Sequence, residues 1–150
     1  TRRSSDLNKQ VAIAEKLGFG KCRLSIAIPK GQDYSSSQFL QGKKIATSYP
    51  VIVNNYLQRQ GVTAEIHEIS GSVEIAPGIG LADAICDLVS SGSTLFMNGL
   101  KEVEVIFESQ AVLIKQAALN PTQVQLLERL IFRIQAVKKA KNNKLHKKPK

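Results

Sequence analysis

The chain has 150 residues, 43% of them hydrophobic and 22% charged, with a formal net charge of +9. This composition is typical of one globular domain with enough apolar residues for a core, and it argues against a disordered chain. No run of about 18 apolar residues occurs and the N-terminal stretch lacks the apolar centre of a signal peptide, so we expect a cytosolic protein without a membrane partner. With two distant cysteines, Cys22 and Cys86, and two histidines, neither a disulfide framework nor a zinc site is expected.

The positive charge is concentrated at the end of the chain. Removing the seven lysines of residues 138–150 from the total of +9 leaves +2 for everything before them. No aromatic residue interleaves these lysines, so a base-stacking platform for nucleic acid is not predicted. We interpret the run as a solvated helix end and basic tail, and nucleic acid is not an expected partner.

The first half of the chain shows three strand patterns and one helix pattern. Alternating apolar and polar residues, rich in β-formers, predict strands over 22–29, 43–47 and 63–69. Between the last two, Ser48 is a candidate N-cap for a helix that Gly61 ends. Residues 1–20 are polar and then amphipathic.

The second half continues the alternation of strands and short helices. A strand is predicted over 83–89, two β-rich segments over 101–109 and 111–116, and short helices near 73–77 and 94–99. A long final helix with an apolar stripe is predicted, because its start has Asn120 as N-cap, Pro121 at the first helical position and Gln123 in the first turn. This order predicts an α/β fold with a largely parallel sheet, in which ligands bind where strand-to-helix loops gather.

The stretch "GLADAICDLVSSGSTL", residues 80–95, combines carboxylates with an anion-binding type of loop. In a strand over 83–89 the side chains of Asp83 and Asp87 share one face. Asp87 lies nearest the loop and could accept hydrogen bonds from sugar hydroxyls or hold a water of a bound Mg²⁺. The loop itself offers hydroxyls, backbone amides and the positive end of a helix, from Ser91, Gly92, Ser93 and Thr94. An ordinary turn and helix cap would use the same residues, so both interpretations stay open on local chemistry alone.

The longer run from Glu74 to Leu95 resembles the signature of the ATP phosphoribosyltransferase family. That signature has a glutamate, five variable residues, Gly-x-small-Asp, an aliphatic, an acid and then Ser/Thr-Gly-x-Thr-Leu. The segments "CRLSIAIP", "GKKIATSYP" and "NGLKEVEVIFES" also resemble the family, so the likeness extends over about residues 17–140.

The resemblance implies a reaction and a set of ligands. ATP and phosphoribosyl pyrophosphate would give N1-(5-phosphoribosyl)-ATP and pyrophosphate, with Mg²⁺, in the first step of histidine biosynthesis. The loop from Ser91 to Thr94 would hold the 5-phosphate. Asp87, and with it Asp83 and Glu74, would contact ribose hydroxyls or the metal-bound pyrophosphate. No general base is assigned, and the full enzyme is expected to be a homo-oligomer.

The resemblance also implies a type II periplasmic-binding-protein-like lobe with a mixed, largely parallel sheet. We expect residues 1–21 to be a remnant of a first lobe or a linker, and residues 22–104 to form the second lobe. Return strands and a helix to the first lobe would occupy 105–140, and a basic tail 141–150. Because the ATP pocket would lie between lobes, we expect these residues to be only part of the working enzyme. The alternative is a binding module that takes a phosphorylated metabolite without chemistry.

Overall fold

The computed structural model describes residues 11–145, and their side chains as far as residue 140. The strands are β1 (Val11–Lys16), β2 (Cys22–Pro29), β3 (Lys44–Thr47), β4 (Glu65–Glu68), β5 (Ala84–Val89), β6 (Leu100–Ser109) and β7 (Val112–Gln116). The helices are α1 (Pro50–Arg59), α2 (Ser93–Met97) and α3 (Pro121–Leu145), and short 3-10 turns occur at Ser37–Leu40 and Val73–Ile75. No helix among the described residues is long and apolar enough to cross a membrane.

Residues 21–109 form one compact unit around a five-stranded sheet of order β4-β3-β5-β2-β6. Strand β3 runs parallel to β4 and β5, whereas β2 runs antiparallel to β5 and β6. The sheet is therefore mixed, as expected, but its parallel share is smaller than the sequence indicates. The antiparallel pairs join segments far apart in the chain, and local alternation carries no information on their direction.

Side chains pack on both faces of this sheet. Leu24, Ile26 and Ile28 of β2 contribute to one core, together with helix α1, and all three are fully buried. Ala27 contributes to the other, with Ile85 of β5. Strand alternation therefore places successive residues of β2 and β5 in opposite cores, and this is why these central strands are so apolar.

The remaining described residues, 11–20 and 110–145, form a second unit. Strand β1 pairs antiparallel with β7, and α3 begins with the predicted cap. Its Asn120 and Gln123 exchange hydrogen bonds, since each side-chain oxygen accepts from the other residue's backbone N–H at 3.0 and 2.9 Å. Lys138 donates to the Glu15 carboxylate at 2.6 Å, so this lysine belongs to the folded unit and not to a solvated tail.

The structure adds one strand to those predicted from the sequence and corrects one helix cap. Strand β1 was not anticipated, because its partner β7 lies about a hundred residues away in the chain. Ser48 does not cap α1, since its hydroxyl donates instead to the carbonyl of Ile69 at 2.7 Å. The N-cap position is Tyr49, and Pro50 opens the helix. Strand β6 ends at Ser109, as predicted for the β-rich segment over 101–109.

Candidate functional site

Three parallel strands bring the two loops with candidate binding residues to one edge of the sheet. Because β3 runs parallel to both β4 and β5, the carboxyl ends of these strands lie together. Glu74 follows β4 in a 3-10 turn, and the loop from Ser90 to Gly92 follows β5. The predicted phosphate loop and the signature glutamate are thus neighbours in space.

A cavity of about 260 Å³ lies at this edge. Its lining contains most of the residues that the sequence singles out, and adds apolar walls: Glu74, Asp87, Leu88, Val89, Ser90, Ser91, Gly92, Thr94 and Leu95. Sequence reasoning missed Ser90, although its position between strand and loop was a usable signal. Two carboxylates and a hydroxyl-rich loop therefore share one concave surface.

The loop keeps backbone amides available for a ligand. Gly92 has φ 80° and ψ 0° and is the N-cap residue of α2, a left-handed conformation that glycine adopts at little cost. Within the described residues, the amide N–H groups of Gly92, Thr94 and Leu95 donate no hydrogen bond. Such amides can bind the oxygens of a phosphate.

The hydroxyls of the loop are only partly available to a ligand. The Ser91 and Ser93 hydroxyl oxygens are 2.8 Å apart and form a hydrogen bond. Ser91 and Thr94 line the cavity, whereas Ser93 does not. The Ser93 side chain therefore shapes the loop through Ser91 in this structure.

The environment of the cavity disfavours the ionised form of Asp87. Burial raises the pKa of Asp87 above its ordinary value, the backbone N–H of Leu88 opposes this by donating to Asp87 Oδ1 at 2.7 Å, and the charge of Glu74 raises it again. Removing a carboxylate from water and placing a second one near it both disfavour ionisation. A bound cation or a hydrogen-bond donor would relieve this unfavourable charge.

Asp83 lies at the opposite end of β5 and does not line the cavity. It precedes the strand, and its Oδ2 accepts a hydrogen bond from the backbone N–H of Lys44 at 2.8 Å. Its own N–H donates to the Lys44 carbonyl at 2.8 Å. This pairing joins the starts of β3 and β5. Asp83 and Asp87 are four residues apart, which is about 13 Å along an extended strand.

A family model described as "HisG: ATP phosphoribosyltransferase" matches residues 4–136. The chain belongs to the ATP phosphoribosyltransferase family. Its relatives include the ATP phosphoribosyltransferases of Cytophaga hutchinsonii, 54% identical over 139 residues, and of Bacteroides thetaiotaomicron, 57% identical over 132 residues. These matches cover 93% and 88% of this chain but 49% and 47% of the relatives. The chain thus spans about half the length of the curated ATP phosphoribosyltransferases that it matches.

Solved structures agree with this assignment and with the expected fold. The "ATP phosphoribosyl transferase (HisG:HisZ) complex from Thermotoga maritima" has a TM-score of 0.68 at 26% identity, covering 84% of this chain and 62% of that one. A probable amino-acid transporter extracellular-binding protein, ytmK of Bacillus subtilis, has a TM-score of 0.64 at 17% identity, covering 93% and 63%. The second likeness shows the fold alone, which is that of the periplasmic binding proteins.

The cavity fits Mg²⁺ only as an ion shared with a ligand. Among residues 11–140, no three His, Cys, Asp or Glu side chains are grouped so that they could hold a metal. Glu74 and Asp87 both line the cavity, and Mg²⁺ commonly takes one or two carboxylates together with waters and substrate phosphates. The residues present therefore suit an ion that arrives with a phosphorylated substrate.

Proposed function

We propose that the unit of residues 21–109 is the phosphoribosyl pyrophosphate-binding part of an ATP phosphoribosyltransferase. The full protein would condense ATP with this substrate to give N1-(5-phosphoribosyl)-ATP and pyrophosphate, in the first step of histidine biosynthesis. The observation that carries the proposal is the cavity in which free loop amides and two carboxylates meet. We place the enzyme in the cytoplasm, as a biosynthetic protein working on nucleotides.

In this proposal the loop binds the 5-phosphate. The amides of Gly92, Thr94 and Leu95 donate to phosphate oxygens, and the Thr94 hydroxyl adds a donor. Gly92 is needed because a side chain there would be strained at a φ of +80°. Binding at this end of the substrate fixes the position of the ribose ring for the displacement.

The carboxylates act at the other end of the same substrate. Asp87 accepts hydrogen bonds from ribose hydroxyls, and Glu74 and Asp87 would together hold a Mg²⁺ ion that accompanies the pyrophosphate. Mg²⁺ would supply charge stabilisation for the departing pyrophosphate. The negative side chains also favour the positive charge that develops on the ribose ring as the bond to pyrophosphate breaks. Asp83 stays outside this proposal, because it lies at the opposite sheet edge.

The ATP site and the assembly belong to the full-length protein. The Thermotoga maritima structure is a complex of HisG with HisZ, and this supports an oligomeric enzyme for the present chain as well. We propose a homo-oligomer, and we expect the half-length chain to bind phosphoribosyl pyrophosphate with little or no turnover.

A thermal-shift titration with phosphoribosyl pyrophosphate and MgCl₂ tests the proposal. A ligand at 100 times its Kd stabilises the folded state by about 2.7 kcal/mol, so the Tm of the chain should rise. Gly92→Val should remove this rise, because valine is strained at positive φ and blocks approach to the amides. Gly42→Val is the matched control, since Gly42 also has positive φ, +70°, with open space around it. It should lower the Tm of the free chain and keep the ligand-induced rise.

A further inference from the structure

A polar network lies on the sheet face that carries Asp87, next to the phosphate loop. The guanidinium of Arg23 on β2 donates two parallel hydrogen bonds to the Glu102 carboxylate on β6, each 2.5 Å long. The hydroxyl of Ser25, which is 1% exposed, donates to Glu102 Oε1 at 2.7 Å. Such bidentate pairing fixes the plane of a guanidinium as well as its position.

The third contact of Arg23 reaches the loop. Its Nη1 donates to the backbone carbonyl of Ser90 at 3.1 Å. Ser90 is the first residue after β5, it lines the cavity, and it directly precedes the four residues of the phosphate loop. Two nitrogens of Arg23 hold the carboxylate while another nitrogen of the same planar group holds the loop.

The strand register strengthens this coupling. Arg23 stands opposite Val89 in the β2–β5 pair, and Ser25 stands opposite Asp87. Residues directly opposite in neighbouring strands project to the same face. The network therefore lies on the same sheet face as Asp87, and through Arg23 it contacts Ser90 at the start of the loop.

We propose that Arg23 is a positioning residue for the phosphate loop, holding the Ser90 carbonyl so that the following amides point into the cavity. This inference rests on the proposed function of the loop. Arg23 does not line the cavity, and Glu102 neutralises its charge, so its contribution is orientation of the loop and not direct attraction of phosphate. The mutual hydrogen bonds raise the pKa of Arg23 and lower that of Glu102, and the pair stays ionised at neutral pH.

Arg23→Lys separates orientation from charge. Lysine keeps the positive charge but has no planar fork, so it cannot hold Glu102 with two bonds and the Ser90 carbonyl with a third. Arg59→Lys is the matched control, because Arg59 is exposed at the end of α1 in the same unit. Two measurements on the full chain are compared: backbone amide chemical shifts without ligand, and the Kd for ribose 5-phosphate.

Arg23→Lys should shift the amide resonances of Ser91 and Gly92 in the ligand-free chain. It should also weaken ribose 5-phosphate binding about tenfold, because a displaced loop should lose about one amide hydrogen bond to the charged phosphate. Arg59→Lys should leave both measurements unchanged. Unchanged loop resonances and an unchanged Kd in Arg23→Lys would overturn the positioning role.

A second variant covers the case in which Arg23→Lys folds poorly. Glu102→Gln keeps the side-chain size but removes the charge that anchors the guanidinium, and it should move the same loop amides in the same direction. If these amides do not move, the inference is wrong. Failure of the wild-type chain to bind ribose 5-phosphate would instead contradict the proposed function. The amide chemical shifts measured without ligand would still test whether Arg23 positions the loop.

Discussion

The two units of the chain differ in how completely each one buries its own apolar residues. Residues 21–109 contain every fully buried side chain of the described structure, arranged in two cores on either side of the five-stranded sheet. Residues 11–20 and 110–140 contain no fully buried side chain, and several large apolar groups there are exposed, among them Ile13 at 62% and Phe132 at 74%. A two-stranded sheet with one helix offers too little surface to enclose a core.

This difference explains where a ligand site can be built. Fixed carboxylates and loop amides need supporting strands whose positions are set by close packing. Among the described residues, only the unit of residues 21–109 has such strands. The cavity lies at the carboxyl end of β5, a strand that contributes buried residues to both cores. The second unit is stabilised locally, by the helix cap and by ion pairing such as Lys138 with Glu15.

The largest expected effect is a difference between the two units in the unfolding free energy lost when one apolar side chain is truncated. Leu24→Ala in β2 should lower the free energy of unfolding by about 3 kcal/mol, because a buried leucine leaves a cavity. Ile13→Ala in β1 should cost about 0.5 kcal/mol, since its side chain is already mostly in water. Urea denaturation of both variants measures the contrast, and equal losses would show that the second unit also has a tightly packed core.

An intermediate effect is expected from the cap of α3. Asn120→Ala removes the acceptor for the Gln123 N–H and should cost about 1 kcal/mol of local helix stability. Hydrogen exchange should accelerate in the first turns of α3 and stay unchanged in β2 and β5. Faster exchange spread equally over the central sheet would mean that the two units unfold as one.

The smallest effect concerns Asp87, where stability and ligand binding should move in opposite directions. Because its pKa is raised in the folded chain, the ionised form is disfavoured there, and stability from this group is lost as pH rises through that pKa. Asp87→Asn should therefore raise the Tm of the free chain at pH 7 by about 1–2 °C, a figure reduced for solvent screening. The same variant should lose stabilisation by Mg²⁺ and phosphoribosyl pyrophosphate.

The pH dependence supplies the control for this prediction. The Tm difference between Asp87→Asn and the wild type should shrink as the pH is lowered through the Asp87 pKa, because the wild-type carboxyl then becomes protonated. A difference that does not change with pH would show that the substitution acts through packing and not through charge.

The sequence predicts most of the central unit because its signals are local. Alternation identifies β2 with its observed bounds, Cys22–Pro29, and the Asn120 cap identifies the start of α3. The loop from Ser91 to Thr94 was found by its chemistry and by the family signature. The roles proposed for its residues, and for Asp87 and Glu74, stay predictions until a ligand is bound.

What the sequence could not provide depends on contacts between distant segments. Strand β1 needs β7 as its partner, and the antiparallel direction of β2 follows from its neighbours β5 and β6. The pairing of Asp83 with Lys44 at the start of β3 also joins segments that lie far apart in the chain. Arg23 lies in the family-like segment "CRLSIAIP", but nothing in that segment indicates its partners, and only the fold brings it to Glu102 and Ser90.

The most direct test of the central claim is an amide chemical-shift titration of the chain with phosphoribosyl pyrophosphate and Mg²⁺. The account predicts that the largest changes fall on the amides of Gly92, Thr94 and Leu95, with smaller changes at Asp87 and Glu74. Residues 11–20 and 110–140 should remain unaffected. No change at millimolar ligand, or changes centred on α3, would contradict the assignment of the phosphate site to the loop after β5.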